Sequence, residues 1–268
     1  NLSGPKTFSF WTNIPTTGSG ASGFISIGKD STNRWYIDDN NRGRKIRVWQ
    51  VGGGAGSNPQ LETGAVLTYG DWQHVVVTDD DSGSGGARVY VNGEQVSGTY
   101  NSFDYSGLPN DCVLRLGARF TSTIEPMTGA LDDFGIWSSA LTTPQVKTVY
   151  NLANHRVLGS DLGQVQQLFG VHGTGTGSET VDGRQWSYAT DLSTDPADLG
   201  RVVVVDGKYA VALDASGNGV STQHDLIGYW RFDESSGTTA FDSSASGLDG
   251  TLKGTSGNLP ARVEGKFG

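Results

Sequence analysis

The sequence has one cysteine, eight prolines in 268 residues, and no apolar run approaching the ~18 residues that a membrane-spanning helix needs. With Cys112 alone, neither an internal disulfide nor a thiolate metal cage can form. Basic residues are also few. The 19 Lys and Arg against 28 Asp and Glu give a net charge of −9, so the surface repels phosphate backbones. We therefore expect no membrane span and no nucleic-acid partner.

Glycine, in contrast, is abundant: it accounts for 40 of the 268 residues, and aromatic residues reach 10%. The aromatic content argues against disorder, and the glycines show no period of three, which excludes collagen. Gly, Ser and Thr fill the gaps between short apolar runs. This texture is typical of a β-sandwich or barrel.

Residues 7–137 contain eight apolar or aromatic runs separated by turn signals. Several alternate with period two, as Phe8 and Phe10 do with the polar residues beside them. Asn92-Gly93, between two such runs, is a strong hairpin signal. No helical pattern intervenes between the runs, which argues against a parallel sheet. The sequence predicts an all-β fold, an antiparallel jelly-roll sandwich.

After Trp137 the sequence pattern changes from strand-like to helical. Thr143 is expected to cap a helix whose first turn contains Pro144 and whose later residues share an apolar face. A second helical pattern at 161–170 and strand-like runs between 184 and 213 predict a small α+β insert or linker module. We therefore divide the chain into a jelly-roll body (1–152), a linker module (153–226) and a C-terminal segment (227–268).

Three motifs follow one another in the body: WQHVVVT, ARVYVNGEQV and GALDDFGIWSSALTTPQV. Their order and spacing resemble laminin G-like domains of the concanavalin A-like jelly-roll superfamily, over about residues 7–152. The resemblance implies the fold. Because the fold hosts lectins, enzymes and spacers alike, the resemblance leaves the function open.

The C-terminal segment resembles the opening of such a domain, which normally precedes the FSFW strand but here comes last. Three explanations stay open. The segment closes on its own body in cis, as in a circular permutation, or it completes the body of the next molecule. Alternatively, the chain is a piece of a longer array of repeats, in which each C-terminal segment belongs to the following domain. Completion in trans is favoured, because a body without its opening strands exposes a sheet edge. It would join copies of the chain head-to-tail through Tyr229, Trp230 and Phe232.

Catalytic patterns are missing from the sequence. A jelly-roll glucanase needs acid residues at alternate strand positions, whereas Asp132 and Asp133 are adjacent and predicted to point to opposite faces. No Gly-x-Ser-x-Gly elbow is present, the four histidines are scattered, and His74 lies within a strand pattern. We predict that the protein is not an enzyme.

Calcium is the predicted cofactor. Asp233, Asp242 and Asp249 recur among Gly and Ser, a set of hard oxygen ligands that Ca²⁺ favours. The family resemblance implies a structural Ca²⁺ between the opening strands and the acidic strand, which adds Asp132 and Asp133. The alternative is that these Asp and Ser residues only form turns.

Glycan binding would need exposed aromatic rings near a loop edge. Tyr100, Phe103 and Tyr105 in the NSFDYSG stretch are the predicted ligand-binding residues, with packing as the alternative. The predicted function is a non-enzymatic extracellular or cell-surface building block of a linear assembly. The alternative is a calcium-dependent carbohydrate-binding module of a larger secreted protein.

Overall fold

The structure of the chain is a computed structural model. It describes residues 4–18, 22–30, 32–40, 42–52, 57–82, 85–100, 108–109, 111–120, 124–154, 176–181, 184–189, 201–205, 209–213, 219–221, 226–244, 246–254 and 259–266.

Thirteen strands and a helix form the N-terminal part of the described structure. In chain order they are β1 (Lys6–Asn13), β2 (Gly23–Asp30), β3 (Asn33–Asp38), β4 (Arg47–Val51), β5 (Ser57–Thr63), β6 (Gln73–Asp79), β7 (Ala87–Val91), β8 (Glu94–Gln95), β9 (Gly98–Tyr100), β10 (Val113–Leu116), β11 (Ala118–Phe120), β12 (Ile124–Pro126), β13 (Ala130–Trp137) and α1 (Thr143–Asn154). Further along lie β14 (Thr176–Val181), β15 (Arg184–Ala189), β16 (Arg201–Val205), β17 (Tyr209–Leu213), β18 (Gly219–Ser221), β19 (Leu226–Trp230), β20 (Thr239–Ala240) and β21 (Gly250–Thr251).

Two six-stranded antiparallel sheets form the sandwich. Sheet A has the order β19-β13-β1-β6-β7-β8, and sheet B has the order β10-β2-β3-β4-β5-β9. Side chains from both sheets form one buried cluster. Within it the Phe10 ring lies 5.0 Å from Phe24 of sheet B and 5.5 Å from Phe134 of sheet A, centroid to centroid. The predicted antiparallel jelly-roll sandwich is confirmed.

Local sequence signals account for several connections. Asn92 and Gly93 both have positive φ, 52° and 82°, as a two-residue type I′ hairpin requires, and they join β7 to β8. At the start of α1, the cap is Thr142 and not the predicted Thr143. The Gln145 side chain accepts hydrogen bonds from the backbone N–H and the hydroxyl of Thr142, which is a capping-box arrangement.

Five described strands lie within the predicted linker module. β14 pairs with β15, and β16, β17 and β18 form a three-stranded sheet, all antiparallel. The second predicted helix, at 161–170, lies outside the described residues.

The C-terminal segment lies against the body of the same chain. β19 forms the edge of sheet A and pairs with β13, with Trp230 opposite Phe134. Trp230 is buried in the main core, and its indole N–H donates to the Leu248 carbonyl at 3.0 Å. Gly228 makes room for this ring, because a Cβ there would lie 2.5 Å from its Cη2 atom. In the single chain, the segment therefore completes the body in cis, and completion in trans stays a prediction.

Candidate functional site

The two sheets differ in what covers their outer faces. On sheet A, α1 covers the outer face: Val146 packs with Val76, Tyr90 and Trp137. The Tyr150 ring stacks on Trp11 at 5.8 Å. On sheet B, no helix of the described chain covers the outer face. Many side chains on this face are nonetheless buried, so a ligand could lie only where the face keeps a solvent-exposed side chain.

Strand alternation decides which side chains reach that surface. Trp35 and Ile37 on β3 and Val48 on β4 point into the core with 0% exposure. Tyr36 on β3 and Trp49 on β4 alternate with these core residues and therefore lie on the outer face. The two lie opposite each other in the pairing of β3 with β4. Tyr36 is buried, whereas Trp49 retains part of its surface in solvent.

A network of charged side chains lies beside these rings. Asp38, fully buried, accepts from Arg47 Nε at 2.9 Å and Nη2 at 2.6 Å, and from Arg119 Nη1 at 3.0 Å. Arg119 Nε also donates to Glu125 at 2.7 Å. Burial alone would lower the pKa of Arg47, but the bonds to Asp38 outweigh it and the pKa is raised. Both guanidinium groups stay charged and are held in fixed positions.

Each of these arginines also contacts one of the rings. The Arg47 Cζ atom lies 4.9 Å from the ring centroid of Trp49, and the Arg119 Cζ atom lies 5.6 Å from that of Tyr36. Both distances are within the range of a cation–π interaction. We define the outer-face site as Tyr36, Asp38, Arg47, Trp49 and Arg119.

Of the predicted aromatic ligand-binding residues, the structure describes Tyr100, which is not part of the outer-face site. Tyr100 is half-buried against the main core, and its hydroxyl donates to the Val96 carbonyl, which favours the packing interpretation. Burial raises its pKa. Phe103 and Tyr105 lie outside the described residues.

The five predicted calcium ligands are divided between separate environments. Asp242 accepts hydrogen bonds from the backbone N–H groups of Tyr229, Ser244 and Leu248, each at 2.8 Å. Asp249 accepts from the Asp242 N–H at 2.9 Å. These contacts are those of turn-forming residues, which is the alternative considered above.

The other three aspartates lie near the junction of β13 with the C-terminal segment. Asp132 accepts from the backbone N–H of Lys266 at 2.7 Å, and Asp133 accepts from the Tyr229 hydroxyl at 2.6 Å. Asp233 forms an ion pair with Arg231 at 2.6 Å. Burial, with the nearby charges of Asp133 and Asp233, raises the pKa of Asp132 to about 7.

The described residues do not fit a calcium cage. Within them, no three Asp, Glu, His or Cys side chains come together in a group that could hold a metal ion. Instead, Asp132 and Asp133 bind the C-terminal segment directly. Asp133 has a φ of 47° beside a register shift in the pairing of β1 with β13, so the regular alternation expected for this strand is broken.

The predicted assembly residues all contact the body of the same chain. Trp230 lies in the core, the Tyr229 hydroxyl binds Asp133, and Phe232 is partly buried against the main core. The sequence predicted that this segment completes a body, with completion in trans favoured over closure in cis, whereas the outer-face site was not predicted. The signal for the outer-face site is the alternation of charged and aromatic residues along β3 and β4, RWYID and RVWQV.

Comparison with protein families decides the classification. The family model of laminin G-like domains in the concanavalin A-like lectin/glucanases superfamily matches residues 1–147, more than half of the chain. The chain belongs to this family. No sequence among the curated proteins matches this laminin G-like chain.

Several solved structures are similar to this laminin G-like chain. The CBM40 of the Ruminococcus gnavus IT-sialidase, bound to α2,3-sialyllactose, is 13% identical with a TM-score of 0.47, covering 55% of this chain and 83% of its own. A Bacteroides ovatus protein provisionally described as carbohydrate-binding is 16% identical with a TM-score of 0.48. That match covers 92% of this chain and 51% of the Bacteroides chain. A pentraxin of Limulus polyphemus is 18% identical, with a TM-score of 0.40 and coverage of 55% and 69%. These likenesses concern the fold.

The one described helix of the body, α1, has 12 residues. No described helix is long and apolar enough to cross a membrane.

Proposed function

We propose that this laminin G-like domain is a non-catalytic, extracellular carbohydrate-binding module whose ligand lies on the outer face of sheet B. The observation that carries the proposal is the partly exposed Trp49 ring beside the fixed network of Asp38, Arg47 and Arg119. It combines an aromatic surface with several hydrogen-bonding groups on a rigid sheet.

The chemistry of a sugar fits this combination. The C–H groups on one face of a pyranose ring stack on the electron-rich face of an aromatic ring. Its hydroxyls meanwhile need hydrogen-bonding groups of fixed direction, and guanidinium groups supply donors of this kind. Because Asp38 orients both arginines before any ligand arrives, little side-chain entropy is lost on binding.

The adjacent acids of β13 support binding without hydrolysis. Asp132 and Asp133 are both buried and both accept hydrogen bonds from the C-terminal segment. A glycosidase needs two carboxyl groups that flank an open sugar site. We therefore expect no polysaccharide hydrolysis from this pair.

The proposal is tested with Trp49→Ala, with Trp72→Ala as the matched control. Both are partly buried tryptophans, but Trp72 packs against the cluster of Trp11 and Tyr150 on sheet A. The wild-type chain is screened on a glycan array, and hits are measured by isothermal titration calorimetry. We expect Trp49→Ala to weaken binding by about tenfold or more, since a buried aromatic anchor contributes at least 1–2 kcal/mol, and Trp72→Ala to leave it unchanged. Equal losses in both variants, or no glycan bound by the folded wild type, would contradict the proposal.

A second candidate function is self-assembly by exchange of the C-terminal segment. The observation favouring it is that β19 is an edge strand joined to the rest of its sheet through residues 155–225, so a second copy could supply the same strand in the same register. Because the segment is covalently attached to its own body, closure in cis is favoured in dilute solution, and exchange becomes competitive only as the protein concentration rises. Light scattering after size-exclusion chromatography tests this: a ladder of oligomers that grows with concentration supports exchange, and a monomer at the highest attainable concentration contradicts it.

A further inference from the structure

Arg115 on β10 has an unused hydrogen-bonding edge. Its Nη1 atom donates to the carbonyls of Gly28 at 3.1 Å and Val113 at 3.2 Å. Among the described residues, its Nε and Nη2 atoms have no acceptor. These two atoms form the edge of the guanidinium that binds a carboxylate through two parallel hydrogen bonds.

The guanidinium group is fixed in position although no acid holds it. Its Cζ atom lies 4.5 Å from the ring centroid of Phe120 on β11, so one face stacks on an aromatic ring. Burial lowers the pKa of Arg115, and no carboxylate in the described structure raises it. A partly buried cation without a counter-charge is a binding position for an anion.

The two arginines of the outer-face site, Arg47 and Arg119, differ in this respect. Arg47 presents its Nε and Nη2 atoms to Asp38, and Arg119 presents its Nε and Nη2 atoms to Glu125. Their carboxylate-binding edges are therefore occupied within the protein. Arg115 has the same chemistry with that edge left unoccupied.

A second buried polar group lies beside Arg115. Ser26 is its register partner on β2 and lies between it and Tyr36 of the outer-face site. Ser26 is fully buried, yet its hydroxyl has no hydrogen-bond partner among the described residues. Buried hydroxyls without a partner are uncommon, and an added ligand or water oxygen would satisfy this one. Arg115 and Tyr36 lie on either side of β2, about 10 Å apart, which is within the span of a disaccharide.

We propose that Arg115 binds the carboxylate of an acidic saccharide whose neighbouring ring lies on the outer-face site. The proposal rests on the carbohydrate-binding function proposed above and specifies its ligand class, that of uronic or sialic acid glycans. Arg115 sets the specificity, and the aromatic and charged residues of the outer-face site bind the sugar rings.

The test compares acidic saccharides with neutral counterparts. Calorimetry measures sialyllactose against lactose, and oligogalacturonate against its carboxyl-reduced form, with dextran sulfate as a sulfate polyanion. Two variants change Arg115. Arg115→Lys keeps the charge but loses the two parallel N–H donors of the guanidinium group, and Arg115→Gln loses both. Arg88→Gln is the matched control. Arg88 also donates to two backbone carbonyls, those of Gly85 and Ala87, but lies on β7 of sheet A.

We expect wild type and Arg88→Gln to bind at least one acidic saccharide about tenfold to a hundredfold more tightly than its neutral counterpart, and both Arg115 variants to lose that preference. Equal affinity for the acidic and neutral members, lost in Trp49→Ala, overturns the acid specificity and leaves the carbohydrate-binding proposal standing. Tight binding of dextran sulfate that Arg115→Lys retains also overturns the acid specificity, because a positive charge without the two parallel N–H donors is then sufficient for binding. Absence of binding to every saccharide overturns both proposals.

Discussion

Replacing Trp230 with alanine tests whether the C-terminal segment is part of the folded body. Trp230 is 5% exposed, packs 6.4 Å from Phe134, and donates its indole N–H to Leu248. Truncation of a buried Trp destabilises a protein by about 3–5 kcal/mol, which includes the transfer of the ring and the cavity left behind. This range already includes the loss of the indole hydrogen bond, which on its own contributes about 0.5–1.5 kcal/mol. We therefore expect a loss of about 4 kcal/mol in the free energy of unfolding.

Such a loss is large beside the total stability of a domain, about 5–15 kcal/mol. For a chain of this size it corresponds to a fall of about 8–16 °C in Tm. Urea unfolding followed by circular dichroism measures it without depending on the fluorescence of the residue removed. Phe241→Ala is the matched control, because Phe241 is an aromatic residue of the same segment that is 56% exposed. Its variant should differ from wild type by no more than about 0.5 kcal/mol.

Equal stability of the two variants, both within about 1 kcal/mol of wild type, would refute the reasoning. It would mean that the segment does not occupy the core position on its own body. Size-exclusion chromatography of the same samples separates closure in cis from exchange, since only exchange makes the stability depend on protein concentration.

Two further predictions concern ionisation and metal. Burial lowers the pKa of His74 to about 3, and its Nε2 atom lies 2.8 Å from Ser9 Oγ. Between this pKa and the ordinary value, His74 is therefore protonated in the unfolded chain and neutral in the folded chain. The contribution of His74 to the free energy of unfolding is therefore full above about pH 6.5 and falls as the pH drops towards 3, by about 2 kcal/mol at pH 5. In a series of urea-unfolding measurements at different pH, His74→Gln should remove this dependence. An unchanged slope would contradict the assignment. Because no described group of acids could hold a metal, we expect the same Tm in calcium and in EDTA by scanning calorimetry. A rise of several degrees with calcium that Asp233→Ala and Asp242→Ala abolish would instead support the metal predicted from the sequence.

Local patterns were enough to predict the sandwich, whereas the role of the C-terminal segment came from the family resemblance, and closure in cis or in trans was left open. Phe8 and Phe10 alternate with polar residues, and both have 0% exposure. The Asn92-Gly93 hairpin follows from the φ values that those residues tolerate. These features depend on residues that are neighbours in the sequence, so they can be recognised from the sequence alone.

The outer-face site depends on long-range pairing and was not predicted. Asp38 and Arg119 are 81 residues apart in the sequence and meet only because β11 crosses beside β2. Similarly, the unoccupied edge of Arg115 is visible only once the partners of Arg47 and Arg119 are known. The calcium prediction rested on composition and on the family resemblance, and neither shows that Asp242 accepts hydrogen bonds from the backbone N–H groups of Tyr229 and Leu248.

The position of β19 at the far end of the chain has a consequence during synthesis. A ribosome adds about 5–20 residues per second, so the stretch from Trp137 to Trp230 takes on the order of 5–20 s to make. During that time β19 is not yet available to pair with β13, and Trp230 cannot occupy its place beside Phe134. Translation speed between α1 and β19 therefore sets how long β13 of a nascent chain waits for the strand that covers its edge in the folded chain.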